Sequence, residues 1–403
     1  MAGPLAGIRV VELARVLAGP WAGQTLAELG AEVIKVERPV VGDDTRAWGP
    51  PYAKDAAGAD LPGMSAYFLG TNRGKRSVTI DFAVPDGAEL ARRLIDTADV
   101  VIENFKVGGL VQYGLDYDSL ATRHPKLIYC SITGFGQNGP YAGRAGYDFI
   151  IQGLGGLMSI SGMPGGEPMK SGIAVSDLFT GFYATIGILS ALIEVRATGR
   201  GKHLDLALFD AQVATLSNQA LAFLVSGKVP APMGNTHPSI VPYQVFAAAD
   251  GHIIVAVGND GQFARMCQVA GVPEWAKDPR YATNPARVTN RAELVPKLAT
   301  LIAAKPSRFW LDGLEAAGVP VGPINSVAQT FADPQAVARG LAITLPLEGG
   351  GTVPGVASPI READKFPQTV TAPPRLGQHT DAVLGELGIV AEEIARLRAK
   401  GVI

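Results

Sequence analysis

Cysteine and histidine are scarce in this chain. Only Cys130 and Cys267 represent the first, and His124, His203, His237, His252 and His379 the second, among 403 residues. Two cysteines cannot make a disulfide framework, and both lie in apolar stretches, so they read as inert core residues in a reducing cytoplasm. The five histidines show no metal-ligand spacing, and there is no HExxH and no paired CxxC, so no metal is expected. GxxxxGK[ST] and GxSxG are missing as well. Gly19 and Gly23 in "LAGPWAGQ" do not make GxGxxG, so dinucleotide binding has no support. Net charge is −2, which gives no global field toward nucleic acid or anionic lipid, and neither is expected as a partner. The start "MAGPLAGIRVVEL" lacks the basic and apolar regions of a secretory signal.

What is present is apolar. A hydrophobic share of 47% against 18% charged describes a globular protein with a large core and rules out disorder. The length suits two domains. "GIRVVELA", "AEVIKVER", "RSVTIDF", "DVVIENF" and "KLIYCSITGF" read as strands. Helical segments alternate with them, among them "PDGAELARRLIDTA" with proline at its start, so the N-terminal half predicts an open parallel α/β sheet. Two long helices are expected from Asp148 and from Asp177. From Val229 the texture changes: "VPAPMGNTHPSIVPYQ" resists both helix and strand, and "YQVFAAADGHIIVAVGN" follows as a hairpin turning at Asp250-Gly251. Helical stretches run to about residue 316, and "HTDAVLGELGIVAEEIARLRAKGVI" reads as broken amphipathic helix.

With metal, serine and cysteine chemistry unsupported, carboxylate chemistry remains. In "SGIAVSDLFTGFYATIGILSALIEV", Asp177 is the only acid ahead of a run without charged residues from Leu178 to Ile193. That run is short for a membrane span and carries Gly181, Thr185 and Gly187, so it reads as a buried core helix. Asp177 is a helix N-cap, a nucleophile, or both, since a carboxylate at a helix start is also fixed in direction. An ordinary aspartate titrates near pH 3.9, so at neutral pH it is a nucleophile without a partner base. Such a group can take an acyl group from a thioester as an anhydride, because a thiolate leaves without a general acid. Cations cluster in "TNRGKRS" (Arg73, Lys75, Arg76), with Arg38 and Lys106 at the ends of other strands. They suit a ligand with several phosphates at the carboxyl edge of an open sheet, or form a solvated rim.

These segments together resemble the class III CoA-transferase (CaiB–BaiF) family. "PLAGIRVVELARVLAGPWAGQTLAELGAEVIKVERP", with Gly42-Asp43 and Arg46 beyond it, is similar to its N-terminal signature. "NRGKRSVTIDF", "DVVIENF", "GLDYDSL", "SITGFGQNGPY", "AGYDFIIQGLGGLM", "SDLFTGFYATIGILSAL", "GVPVGPINSVAQTFADPQ" and "LGQHTDAVLGELG" continue it in order. The resemblance implies that Asp177 is catalytic, forming first an acyl anhydride and then an aspartyl-CoA thioester. It implies coenzyme A contacts at Val16, Leu17, Arg38, Asn72, Arg73, Lys75, Arg76, Glu103, Asn104, Phe105, Tyr147 and Asp148. Coenzyme A is then a substrate, and no permanently bound cofactor is expected.

The implied fold is a Rossmann-like large domain from residues 1–225 and 328–403, a smaller α+β domain at 226–327, and an interlocked ring-shaped homodimer. Where some relatives carry a phosphate-binding arginine, Gln112 stands here. The loop Gly234–Pro242, "GNTHPSIVP", occupies the place of a mobile flap and is similar to the dicarboxylate branch, which moves coenzyme A between succinate and glutarate. A second carboxylate needs a donor, and His237 and Arg144 are the candidates. Carnitine-specific and intramolecular transferases, a 2-methylacyl-CoA racemase and a non-catalytic CoA-binding protein are the alternatives. The racemase carries histidine where Tyr147 stands, and a group titrating near pH 10 is a poor base.

Overall fold

The structure, a computed structural model, describes residues 3–55, 57–361 and 370–403. Six strands form its main sheet: β1 (Arg9–Glu12), β2 (Glu32–Glu37), β3 (Lys75–Thr79), β4 (Val100–Glu103), β5 (Ile128–Thr133) and β6 (Lys202–Ala207). All neighbours pair in parallel, in the order β3-β2-β1-β4-β5-β6. The order reverses between β1 and β4, the arrangement of a doubly wound sheet. Both faces are apolar, as a sheet covered on both sides requires. Val11, Ile34, Val78 and Val101 face one core with Leu90 and Leu94 of the Pro85–Ile95 helix and Leu384 and Leu397 from the C-terminal segment. Val10, Val33, Val100 and Cys130 face the other, with Ala22 and Leu26 of the Ala18–Glu28 helix and Ala184 and Ile188 of the Val175–Thr198 helix.

The chain divides into two compact units. The first holds residues 1–157, 170–227 and 335–403, and the second holds 158–169 and 228–334. The second unit has a three-stranded antiparallel sheet of Tyr243–Ala248, Gly251–Ala256 and Val321–Pro323. Its hairpin turns at Ala249-Asp250, one residue earlier than the expected Asp250-Gly251, because Gly251 already pairs with Ala248. Helices carrying Phe263, Leu294, Leu298 and Trp310 close its core. The segment 158–169 belongs to this unit, although its sequence neighbours on both sides do not.

Two expectations for the helices change. The helix at Asp148 runs only to Leu154, ended by Gly155 and by Gly156 at φ +86°. The second helix begins at Val175, two residues before Asp177, and ends at Gly199 in the left-handed conformation. By length and composition this helix could cross a membrane. It is a partly buried core helix. Ser176, Thr180, Gly181, Ala184, Ile188 and Ala191 face inward, while Phe179, Phe182, Ile186 and Ile193 face outward. Gly181 lets it approach the Ala18–Glu28 helix closely, since a Cβ there would stand 2.8 Å from the Ala18 carbonyl oxygen.

Candidate active site

A doubly wound sheet binds ligands beyond the carboxyl ends of its strands, at the point where the strand order reverses. Here that point lies between β1 and β4. The chain leaving β1 turns at Arg15–Leu17, and the chain leaving β4 continues as Asn104 and Phe105. The two segments are tied together. Arg15 N–H donates to Asn104 Oδ1 at 2.9 Å, and Asn104 Nδ2 donates to the Arg15 carbonyl at 2.7 Å. Glu103 is buried and accepts the Phe105 N–H at 2.7 Å, and burial pushes its carboxyl up to about 7. Phe105 stacks edge-on against Phe82. Arg38, just beyond β2, and Lys106, beyond β4, are exposed at this edge without a carboxylate partner among the described residues.

The other cations are not gathered there. Arg73, Lys75 and Arg76 precede or open β3, at its amino end, and all three are engaged within the protein. Arg73 is buried against Glu28. Lys75 is fully buried, its ammonium 2.8 Å from Glu12 and bonded to the Pro20 carbonyl and to Asn72 Oδ1. Burial lowers its pKa to about 8. Withdrawing Lys75 toward a phosphate would leave Glu12 buried with less compensation, and breaking a buried pair costs about 3–5 kcal/mol. Lys75 therefore stays inside. Arg76 reaches Glu32 and Glu386. Glutamates distant in sequence thus pair with all three cations of "TNRGKRS". Gln112 is exposed and donates to the Gly109 carbonyl of its own loop at 3.4 Å.

Asp177 is not the cap of its helix. The N-cap position is Ala174, which makes no side-chain cap bond. The capping carboxylate comes from another helix: Asp148 Oδ1 accepts the Ser176 N–H at 2.8 Å and lies 3.5 Å from the Asp177 nitrogen. Gln152 is buried and holds Asp148 from behind, donating to Oδ2 at 2.7 Å while accepting the Ser171 N–H. Ser176 donates to Gln212, also buried, at 2.7 Å. With capping done by Asp148, the Asp177 carboxylate accepts no hydrogen bond from a described residue. Burial, with the charge of Asp148 added, pushes it up to about 7. The expectation that it is fully ionised at neutral pH is thereby corrected. The same acids act on a residue the sequence did not single out. Burial, then Asp177, Asp148 and Asp43, raise the Tyr67 hydroxyl to about 12, so it stays a proton donor.

The remaining candidates fall in different places. Tyr147 is 68% exposed and precedes the Asp148 helix. Arg144 is exposed, its guanidinium 4.4 Å from the Tyr141 ring centre, and it has no carboxylate partner among the described residues. Val16 and Leu17 form the turn described above. His237 lies in the second unit, where its Nδ1 accepts the Ser239 N–H at 3.0 Å. Its loop is fastened within that unit by Arg291 to the His237 and Pro238 carbonyls, by Asn284 to Ser239 and Val241, and by Arg287 to Val241. No group of three potential metal ligands occurs among the described residues.

An aspartate whose carboxylate accepts no hydrogen bond from a described residue, fixed at a helix start and half-protonated near neutrality, can attack a carbonyl carbon once it loses its proton. CoA-transferase family III is the family whose model matches, over residues 5–380. The chain is 54% identical over 384 residues to the succinate–glutarate CoA-transferase of Agrobacterium fabrum, spanning 95% of this chain and 96% of that protein. It is 42% identical over 386 residues to the succinyl-CoA:glutarate CoA-transferase of Homo sapiens, spanning 95% and 86%. The crystal structure of a CaiB/BaiF family protein from Brucella suis, 54% identical, matches it with a TM-score of 0.85, over 96% of this chain and 100% of that one. A match that runs through β1, the Asp177 helix and the C-terminal return alike leaves one assignment: the chain belongs to CoA-transferase family III, the CaiB/BaiF family, and is an enzyme of that class.

Proposed function

We propose that this enzyme moves coenzyme A from succinyl-CoA, or a close dicarboxylyl-CoA, to a short dicarboxylic acid such as glutarate, with Asp177 as the nucleophile. The observation that carries the catalytic part is the Asp177 carboxylate, unbonded while the neighbouring Asp148 does the capping. The relatives named above support the substrates. Ionised Asp177 attacks the thioester carbonyl, the C–S bond breaks, and the thiolate leaves an aspartyl–succinyl anhydride. The thiolate returns to the aspartyl carbonyl and expels succinate, giving the aspartyl-CoA thioester. Glutarate then attacks that carbonyl and releases the thiolate, which attacks the glutaryl carbonyl of the new anhydride. Glutaryl-CoA leaves and Asp177 is regenerated. No step needs a proton from the protein.

Around the thiolate path, Arg38 is a cation without a carboxylate partner among the described residues and meets a phosphate, and the Val16–Leu17 turn, Phe105 and Tyr147 offer the surfaces. Asn72, Arg73 and Lys75 serve this region by holding the turn and helix behind it. The test is direct. Purified protein given succinyl-CoA and glutarate forms glutaryl-CoA and succinate in equal amounts; release of free coenzyme A without glutaryl-CoA contradicts the proposal.

The assembly proposed is the interlocked homodimer. The Ser217–Ser226 helix buries none of its residues, and Leu224 and Val225 are 73% and 84% exposed. Together with the outward face of the Asp177 helix, this leaves large apolar side chains exposed, of the kind a second copy covers. A second copy covering it predicts a dimer at every dilution in sedimentation; a folded monomer contradicts interlocking. Two free, buried cysteines support a cytoplasmic location.

A further inference from the structure

Val16 has φ +73°, a conformation that β-branched residues avoid. Such a residue persists only where its surroundings hold it, and those surroundings are explicit here. On one side Asn104 bonds both the N–H and the carbonyl of Arg15. On the other, the Val16 N–H points at both carboxylate oxygens of Asp43, each at 3.3 Å. Asp43 is 1% exposed and is itself fixed. Lys35, fully buried, stands 2.9 Å from Asp43 Oδ2 and donates to the Ala14 carbonyl at 2.7 Å, so one ammonium joins the start of the turn to the acid that grips its middle. Thr45 donates to Asp43 Oδ1 from its nitrogen and its hydroxyl, and the Asp43 N–H donates to Glu37.

We infer that Asp43 is a positioning residue for coenzyme A binding, acting by clamping Val16 in its left-handed conformation through the buried Lys35–Asp43 pair. The turn it holds lies at the carboxyl end of β1, where the strand order reverses. Leu17 continues into the Ala18–Glu28 helix, which packs on the Asp177 helix at Gly181. A clamp at Val16 thus sets both the turn and the approach of the helix behind the nucleophile. A bystander role is also defined: Asp43 caps the short turn Asp44–Ala47 through Thr45. The two roles differ in whether the effect of Asp43 depends on Val16. The inference rests on the reading of Val16 and Leu17 as coenzyme A contacts.

Glycine adopts φ +73° without a clamp, so Val16→Gly removes the need for one. The experiment measures the dissociation constant of free coenzyme A by calorimetry, and thermal unfolding, for wild type, Asp43→Asn, Val16→Gly and the double variant. The quantity read is the factor by which Asp43→Asn weakens binding in each background, whatever Val16→Gly does alone. About tenfold or more with Val16 present, and less than about threefold in the Val16→Gly background, is the expected coupling. Equal factors in both backgrounds, or no loss in either, overturn the clamp. If Asp43→Asn does not fold, recovery of a cooperative transition in the double variant supports it, and a double variant that also fails to fold overturns it. Transfer from succinyl-CoA to glutarate by wild type is assayed in parallel. Wild type that binds coenzyme A and transfers, with equal factors, loses only the clamp; wild type that does not bind coenzyme A loses the proposed function, and the clamp with it.

Discussion

Asp177→Asn lowers transfer by about three orders of magnitude or more, because the variant cannot form either covalent intermediate. The substitution keeps the size of the side chain, and it leaves the helix start intact because Asp148 supplies the cap. Folding is therefore retained, and its pH dependence carries a second signature. The folded Asp177 carboxyl titrates at about 7, above the ordinary 3.8, so the folded state holds that proton more tightly than the unfolded state does. Stability from this group is full below pH 4 and is lost as pH rises through 7. Asparagine imitates the protonated form. The variant should thus melt above wild type at pH 8, with the difference vanishing toward pH 4. Activity runs the opposite way, since only ionised Asp177 attacks. The wild-type rate rises with pH to a plateau with an apparent pKa near 7. A rate that stays flat down to pH 5, or an asparagine variant with near-wild-type turnover once deamidation is controlled, contradicts the assignment.

Glutarate should exceed butyrate as acceptor by about a hundredfold or more in kcat/KM, because a site that pairs a second carboxylate leaves its donor unpaired with the monoacid. Two donors are proposed. His237 accepts the Ser239 N–H at Nδ1, so in its neutral form the remaining ring proton sits on Nε2 and is available to a carboxylate. Arg144 is exposed and stacked on Tyr141. His237→Ala should raise KM for glutarate far more than for butyrate, and should increase hydrolysis of the CoA ester if the loop also excludes water. Equal efficiency of wild type with the two acids removes the dicarboxylate proposal. Equal losses for both acids in the variant remove only His237.

The parts of this fold legible in the sequence are those that local pattern determines. β1, β2 and β4 each carry adjacent apolar residues facing opposite sides (Val10 and Val11, Val33 and Ile34, Val100 and Val101) because both faces of the sheet are covered, and turn chemistry places the hairpin to within one residue. β6 was not expected. Its segment "KHLDLA" alternates polar and apolar residues at an edge of the sheet, a weaker pattern than the central strands show. At the site, Asp177 stands out by its solitude ahead of the apolar run, yet its cap comes from Asp148, 29 residues earlier, which no local rule sees. The same limit governs the cations. Lys75 looks free beside Arg73 and Arg76, and only the pairing of β1, β2 and β3 brings Glu12, 63 residues away, against it. Tyr67 carries no motif, and the acids that help raise its hydroxyl come from three separate segments.

The claim on which the function depends is that Asp177 becomes covalently activated, and hydroxylamine reads this directly. Enzyme turning over succinyl-CoA in its presence should lose activity as the nucleophile displaces coenzyme A or succinate from the activated carboxyl. The peptide containing Asp177 should then carry a hydroxamate by mass spectrometry, while enzyme treated without succinyl-CoA carries none. Turnover that proceeds with Asp177 unmodified, or with the hydroxamate on another residue, would contradict the account.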